Sequence, residues 1–209
     1  MIVIVDYGVG NISAIINMLD YLGVEAISSN EHKEIQNANG LILPGVGAFD
    51  RAMRSLREQK LIELLNDLVL IQSIPVLGIC LGMQILARRS DEGIEPGLGW
   101  LSADVRKIAV KEGSQLKIPH IGWSETNNSP TNPLFSQLLG PQRYYFNHSF
   151  HMVCDNANDV ISTFDFDQVL TCGVNNKNIF GVQFHPEKSH KFGMRILQSF
   201  VSIVESQRL

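Results

Sequence analysis

The sequence predicts an α/β fold: a doubly wound, mostly parallel sheet with helices on both faces and an antiparallel extension. Three observations carry this. Across residues 1–90, short apolar runs alternate with segments of helical periodicity, the pattern of strand–helix–strand units. The opening run, Ile2–Val5, is continuously β-branched, as suits a strand covered on both faces. From Trp100 onward the pattern changes to short strands parted by turns such as Asn175-Asn176-Lys177-Asn178, which suits antiparallel pairing. The 209 residues are expected to form a single domain, 1–209, large enough for a substantial core.

In order, the strand at 2–5 runs into a glycine-rich turn, Asp6-Tyr7-Gly8-Val9-Gly10-Asn11. Ile12, Ile15, Ile16, Leu19 and Leu22 then mark a helix that ends near Gly23. The turn lacks G-x-G-x-x-G spacing, and no Lys-Ser/Thr follows a glycine pair, so it does not read as a nucleotide loop. Strands are expected at 24–27 and 41–43. The second of these runs into Pro44-Gly45-Val46-Gly47, which is either a plain turn or a cradle of backbone N–H groups for an anion. Residues 51–72 are helical, in two pieces. A proline-led strand follows at 75–79, then a helix at 81–89. Further strands are expected at 103–110, 116–121, 144–151, 160–163, 169–174 and 179–184. Phe192, Ile196, Leu197, Phe200, Val201 and Val204 define a closing amphipathic helix.

Composition narrows the function classes. A net charge of −4 gives no footprint for nucleic acid or a membrane surface. The charged fraction, 18%, is below the usual ~25%, which leaves room for an apolar docking face and a protein partner. Cys80, Cys154 and Cys172 are odd in number and widely spaced, which argues against a disulfide framework and for a reducing, cytoplasmic compartment. The opening residues read as a first strand rather than a signal peptide, and no apolar run approaches the ~20 residues of a membrane span.

The chemistry concentrates in two stretches. Gly78-Ile79-Cys80-Leu81-Gly82 places a nucleophile between two glycines where a strand turns into a helix, the pattern of a nucleophile elbow with Cys in place of Ser. The turn would raise the Cys80 sulfur above the sheet, and the helix N-terminus would favour its thiolate. The plain alternative is a small buried cysteine. The second stretch is Gln183-Phe184-His185-Pro186-Glu187. In an extended segment His185 and Glu187 point the same way, and Pro186 keeps His185 out of the helical region. His185 could then take the Cys80 proton while Glu187 orients the ring. The plain alternative is a surface ion pair at a strand end. Joining His190 and Cys80 to His185 as metal ligands finds no support in the spacing, so no metal or other cofactor is expected. Both Cys80 and Gly45-Val46-Gly47 follow strand ends, where open α/β sheets place their sites.

Taken together, these residues resemble the class I, triad-type glutamine amidotransferases. The elbow Gly-Ile-Cys-Leu-Gly-Met-Gln, the late Gln-Phe-His-Pro-Glu and the upstream Leu-Pro-Gly-Val-Gly match in order and spacing over the whole length. Further motifs narrow the resemblance to the glutaminase subunits of imidazole glycerol phosphate synthase, of histidine biosynthesis: Asp6 to Asn11, Pro119-His120-Ile121-Gly122-Trp123, His148-Ser149 and Lys188-Ser189. The resemblance implies a Cys80–His185–Glu187 triad that hydrolyses glutamine through a thioester. It implies an oxyanion hole from the backbone of Leu81 and of Val46 or Gly47, beside Gly45. Gln84 and the backbone around His148, Ser149 and Phe150 would hold the amino-acid end of glutamine. It also implies a heterodimer in which ammonia passes to a (β/α)8-barrel cyclase subunit, docked near Asn11, His120, Trp123, Tyr145 and Lys188. Ser124, Asn147 and Phe150 depart from the family pattern near the partner face and the substrate pocket. A paralogous subunit that supplies ammonia for sugar amidation in surface polysaccharide synthesis is therefore the near alternative. A different kind of cysteine hydrolase and a non-catalytic binding subunit are the alternatives of other classes.

Overall fold

The computed structural model describes residues 1–207. The strands, in chain order, are β1 (Ile2–Val5), β2 (Ala26–Ser29), β3 (Gly40–Leu43), β4 (Val76–Ile79), β5 (Ala103–Lys107) and β6 (His120–Asn128). They continue with β7 (Gln142–His148), β8 (Phe150–Cys154), β9 (Val160–Phe166), β10 (Gln168–Asn176) and β11 (Ile179–Val182). The helices are α1 (Ile12–Tyr21), α2 (His32–Gln36), α3 (Phe49–Glu58), α4 (Leu61–Asn66), α5 (Leu81–Gln84) and α6 (His190–Ser206).

The strands lie in the order β2-β1-β3-β4-β11-β10-β9-β6-β7. The first five pair in parallel, and from β11 outward the pairing is antiparallel. Strands β5 and β8 branch off β10 as a separate antiparallel arm. Period-2 alternation explains the two layers of helices. Val3 and Val5 point to the side that α2, α3 and α4 cover with Ile35, Met53, Leu56 and Leu65. Ile2 and Ile4 point to the other side and meet Ile15 and Leu19 of α1 and Ile196 and Phe200 of α6. The parallel block is thus sandwiched, as its unbroken apolar strands require. No helix among the described residues is long and apolar enough to cross a membrane.

Several elements differ from the sequence expectation, each for a local reason. The short α2 is unanticipated because a single buried side chain, Ile35, anchors its five residues. The helical stretch 51–72 does divide, at Lys60, which adopts φ +57°, and its second part ends in a π-helical turn over Asp67–Ile71. The helix after Cys80 stops at Gln84 instead of reaching Arg89. The segment that returns from Gly97 takes its backbone groups instead: Leu98 and Leu101 N–H donate to the Ile85 and Leu86 carbonyls at 2.8 and 3.0 Å, and Arg88 N–H donates to Ala103. The strand expected at 116–121 begins only at His120, and it absorbs Asn127 and Asn128. The run 144–151 divides at Ser149 into β7 and β8, which pair with different neighbours.

Candidate active site

Cys80 closes β4 with φ +53° and ψ −106°, a strained conformation for a residue with a Cβ. Its N–H donates to the Val182 carbonyl of β11 at 2.8 Å, which fixes the elbow to the neighbouring strand. The flanking glycines are demanded by close approach. A Cβ on Gly82 would lie 1.8 Å from the Leu43 carbonyl oxygen, and one on Gly78 would lie 2.5 Å from that of Gly82. The elbow therefore rests directly on β3 and the loop that follows it. With only four residues, α5 carries little of the dipole expected to favour a thiolate. Side chains supply the polar surroundings of the sulfur instead.

Those side chains come from the stretch after β11. His185 is extended at φ −98° and ψ 97°, and its N–H donates to the Tyr145 carbonyl at 2.9 Å. Its Nδ1 lies 2.8 Å from Glu187 Oε1, with both side chains almost wholly buried. The route differs from the one expected. Residues Pro186–Lys188 form a 3-10 turn, so the chain curls Glu187 back to the ring instead of presenting it two places along a strand. Ser189 braces this turn: its hydroxyl donates to the His185 carbonyl at 2.6 Å and accepts the Tyr145 N–H at 3.0 Å. Burial alone lowers the proton affinity of His185, but Cys80 and Glu187 beside it outweigh burial and push its pKa up to about 10. The two neighbours thus favour the protonated ring beside the sulfur. Its Nε2 makes no formed hydrogen bond among the described residues, although Cys80 stands close enough to raise the proton affinity of the ring; catalytic hydrogen bonds commonly tighten only when substrate binds.

Above Cys80 opens a cavity of about 270 Å³. It brings together eight of the expected residues: Val46, Gly47, Cys80, Leu81, Gln84, His148, Ser149 and Phe150. Gly45 stands behind the wall, where a Cβ would meet the backbone nitrogen of Gly82 at 2.7 Å. His148 serves the wall by its side chain. Nδ1–H donates to the Phe150 carbonyl at 2.8 Å, and burial lowers the pKa to about 3, so the ring stays neutral. The same carbonyl accepts from Gln84 Nε2 at 3.2 Å. Three wall residues were not singled out from sequence as binding residues: Glu92, Pro119 and Asn147. Glu92 is the acid on the wall; its Oε2 accepts the N–H of Phe49, the first residue of α3. No local motif marks it, because it is a loop residue brought in by the returning 90–97 segment.

Around the cavity the expected docking residues divide. Trp123 is 41% exposed and stacks on His190, while Tyr145 meets it edge-on at 6.3 Å. The Lys188 ammonium sits 5.6 Å from the centre of the Tyr145 ring. Asn11 is exposed at the start of α1, and the adjoining Gly10 packs against Pro44, where a Cβ would approach to 2.8 Å. His120 does not belong to this surface. It is 8% exposed, stacks on Phe164 and hydrogen-bonds the Ser124 hydroxyl at 3.0 Å. Register explains the correction: Ile121 and Trp123 of β6 point outward, so His120, one place before Ile121, points the opposite way, into the aromatic layer.

Comparison with known proteins places this architecture. The description "Glutamine amidotransferase class-I" matches residues 3–204. The chain is 44% identical to the imidazole glycerol phosphate synthase subunit HisH 2 of Pseudomonas aeruginosa, over 98% of this chain and 100% of that one. It is 45% identical to the imidazole glycerol phosphate synthase subunit HisH of Leptospira interrogans, over 97% and 100%. Among solved structures it superposes on a glutamine amidotransferase with a TM-score of 0.76 at 21% identity, covering 97% of this chain and 98% of that one. It superposes on PurLQS from Thermotoga maritima with a TM-score of 0.73 at 18% identity, over 97% and 98%. A match from the first strand almost to the end of the last helix, with the cysteine elbow at its centre, makes this chain a member of the class I glutamine amidotransferase family.

Proposed function

We propose that this chain is the glutaminase subunit of an imidazole glycerol phosphate synthase, hydrolysing glutamine and handing the ammonia to a (β/α)8-barrel cyclase subunit in histidine biosynthesis. The observation that carries the chemistry is the buried His185–Glu187 pair, 2.8 Å apart, beside Cys80, which lines a cavity of about 270 Å³. The names of relatives at 41–45% identity over nearly the full length support the pathway.

Each step has a group to perform it. The Cys80 thiolate attacks the side-chain amide carbon of glutamine, and His185 holds the proton it has taken from the thiol. The negative charge that develops on the amide oxygen is met by backbone N–H groups of Leu81 and of Val46 or Gly47, each such donor being worth roughly 10²–10³ in rate. The C–N bond breaks as His185 delivers its proton to nitrogen, which leaves as ammonia and a glutamyl thioester. Water, deprotonated by His185, then cleaves the thioester to glutamate. Glu187 holds the ring throughout and takes no proton. On the cavity wall the Glu92 carboxylate and the Gln84 side-chain oxygen suit the substrate's α-ammonium, and the Ser149–Phe150 backbone suits its carboxylate.

The partner is expected on the exposed Trp123–Tyr145–Lys188 surface, beside Asn11. The acceptor chemistry belongs to that second chain, so a subunit for sugar amidation would share this site; Ser124, whose hydroxyl holds His120 beneath the docking face, and Phe150 on the cavity wall are the residues that favour considering it. The test is glutamate release measured with the histidine-pathway barrel subunit and its acceptor ligand, with a sugar-amidating partner, and alone. Stimulation by the first supports the reading. Stimulation by the second only moves the chain to the alternative, and no glutamate from any combination removes the glutaminase itself.

A further inference from the structure

Gln183 is wholly buried, and the mechanism above leaves it without a task. Its Oε1 accepts from Gln84 Nε2 at 3.1 Å, and its Nε2 points at Cys80 Sγ at 3.5 Å, a normal separation for a nitrogen donor to sulfur. The orientation of both amides follows from the end of the chain. The Phe150 carbonyl can only accept, so Gln84 must turn its NH2 group inward, and that NH2 can only be met by an oxygen. The oxygen of Gln183 is thereby assigned to Gln84, which leaves its NH2 for the sulfur. The backbone of Gln183 is equally fixed, its N–H donating to the Cys172 carbonyl at 2.9 Å.

We propose that Gln183 is a positioning residue for the nucleophile: its carboxamide holds the Cys80 sulfur in the attacking rotamer and stabilises its anionic form, under the direction of a relay that runs from the Phe150 carbonyl through Gln84. The inference rests on Cys80 being the nucleophile. Charge explains why an amide suits the place. A thiolate between a histidine and an uncharged N–H donor keeps its negative charge, whereas a second cation would hold it too tightly to attack. The donor gains strength when the sulfur is ionised, since hydrogen bonds to charged groups are about twice as strong as neutral ones. The relay also joins two regions far apart in sequence. Phe150 lies on the cavity wall at the start of β8, so its carbonyl links that wall to the sulfur through two side chains.

The experiment is alkylation of the full-length protein by iodoacetamide, an uncharged reagent, across a range of pH, with the labelled cysteine identified by mass spectrometry. Wild type should label at Cys80; labelling elsewhere removes the nucleophile reading, a result separate from the fate of Gln183. In Gln183→Met, similar in size but without a donor, Cys80 labelling near pH 7 should slow about tenfold and its half-maximal rate should move to higher pH. Glutamine turnover should lose about tenfold in kcat with KM within about twofold, and Gln183→Glu, which offers no NH2, should not restore it. Unchanged labelling rate and pH profile in a folded Gln183→Met would overturn the proposal. A second measurement needs no variant at this position. In wild type the side-chain amide resonances of Gln183 should shift over the pH interval in which Cys80 labelling rises, and signals that stay fixed through that interval would overturn it as well.

Discussion

The Glu187 carboxylate meets the His185 ring across a tight turn, Oε1 to Nδ1 at 2.8 Å, with both side chains shielded from water. A carboxylate so placed sets the tautomer and the direction of the ring but stays clear of the proton's path. Glu187→Gln, which can still hold the ring, should therefore lower glutamine turnover by about 10²-fold, and His185→Ala by at least about 10³-fold. Steady-state glutamate release with the partner present checks the order. Equal losses in two folded variants would give Glu187 a larger role than orientation.

The three cysteines should differ sharply in reactivity. Burial pushes the thiols of Cys154 and Cys172 up to about 12, so both are thiols at neutral pH. A glutamine-directed alkylating analogue should label Cys80, which lines the cavity, and spare the other two. Cys80→Ala should abolish hydrolysis with little change in thermal unfolding. Labelling mainly at Cys154 or Cys172 would sink the assignment.

The His185 site should also leave a mark on stability. Its folded pKa, about 10, stands above the ordinary value of 6.5. A group raised on folding stabilises fully below its unfolded pKa, and that contribution fades as pH climbs through the folded one. The gap in melting temperature between wild type and His185→Gln should thus be widest near pH 6 and shrink toward pH 10. A gap that is constant with pH, or that widens, contradicts a protonated ring in the native state.

The loop after β3 offers a contrast between two glycines. Gly47 has φ +112° and open space around its α-carbon, whereas a Cβ on Gly82 would collide with the Leu43 carbonyl. Gly47→Ala should fold with a penalty of roughly 1–3 kcal/mol, because only the backbone angle is strained. It should nonetheless lose about tenfold or more in turnover, since the relaxed loop aims its N–H groups elsewhere. Gly82→Ala should fail to give stable protein. Thermal melts and glutaminase assays on the pair separate the two effects, and full activity in Gly47→Ala would take the loop out of the oxyanion site.

Docking should depend on the pair formed by the exposed Trp123 and the half-buried Tyr145. Trp123→Ala removes the larger ring of the Trp123–Tyr145 contact and should weaken affinity for the partner subunit by about tenfold or more, leaving the melt of the isolated chain nearly unchanged. Titration calorimetry with the partner reads this directly. Unaltered affinity would move the docking face away from β6.

Much of this was legible in the chain itself, and the failures share a cause. Ile2–Val5 and the elbow glycines declare themselves because local sterics and two-sided burial dictate them. The length of α5, the inward turn of His120 and the presence of Glu92 on the cavity wall did not. Each is decided by a partner distant in sequence: the returning 97–103 backbone for α5, the pleat of β6 against β7 for His120, and the folding of the 90–97 segment over α3 for Glu92. Spacing placed His185 and Glu187 together correctly but by the wrong geometry, since a 3-10 turn and an extended strand can both bring residues two apart into contact.

Strand β11 lies in the middle of the sheet, between β4 and β10, although it is the last strand in the chain. The nucleophile and its base therefore follow the ends of neighbouring strands whose synthesis is separated by about a hundred residues. A ribosome that has finished β10 holds a chain with a cysteine elbow and no histidine to serve it. The central slot must stay open until the final segment emerges and inserts, a non-local closure of the kind that slows folding. Glutamine cleavage accordingly waits for the segment that carries His185 and Glu187, and any fragment that ends before residue 185 is barred from releasing ammonia by this route.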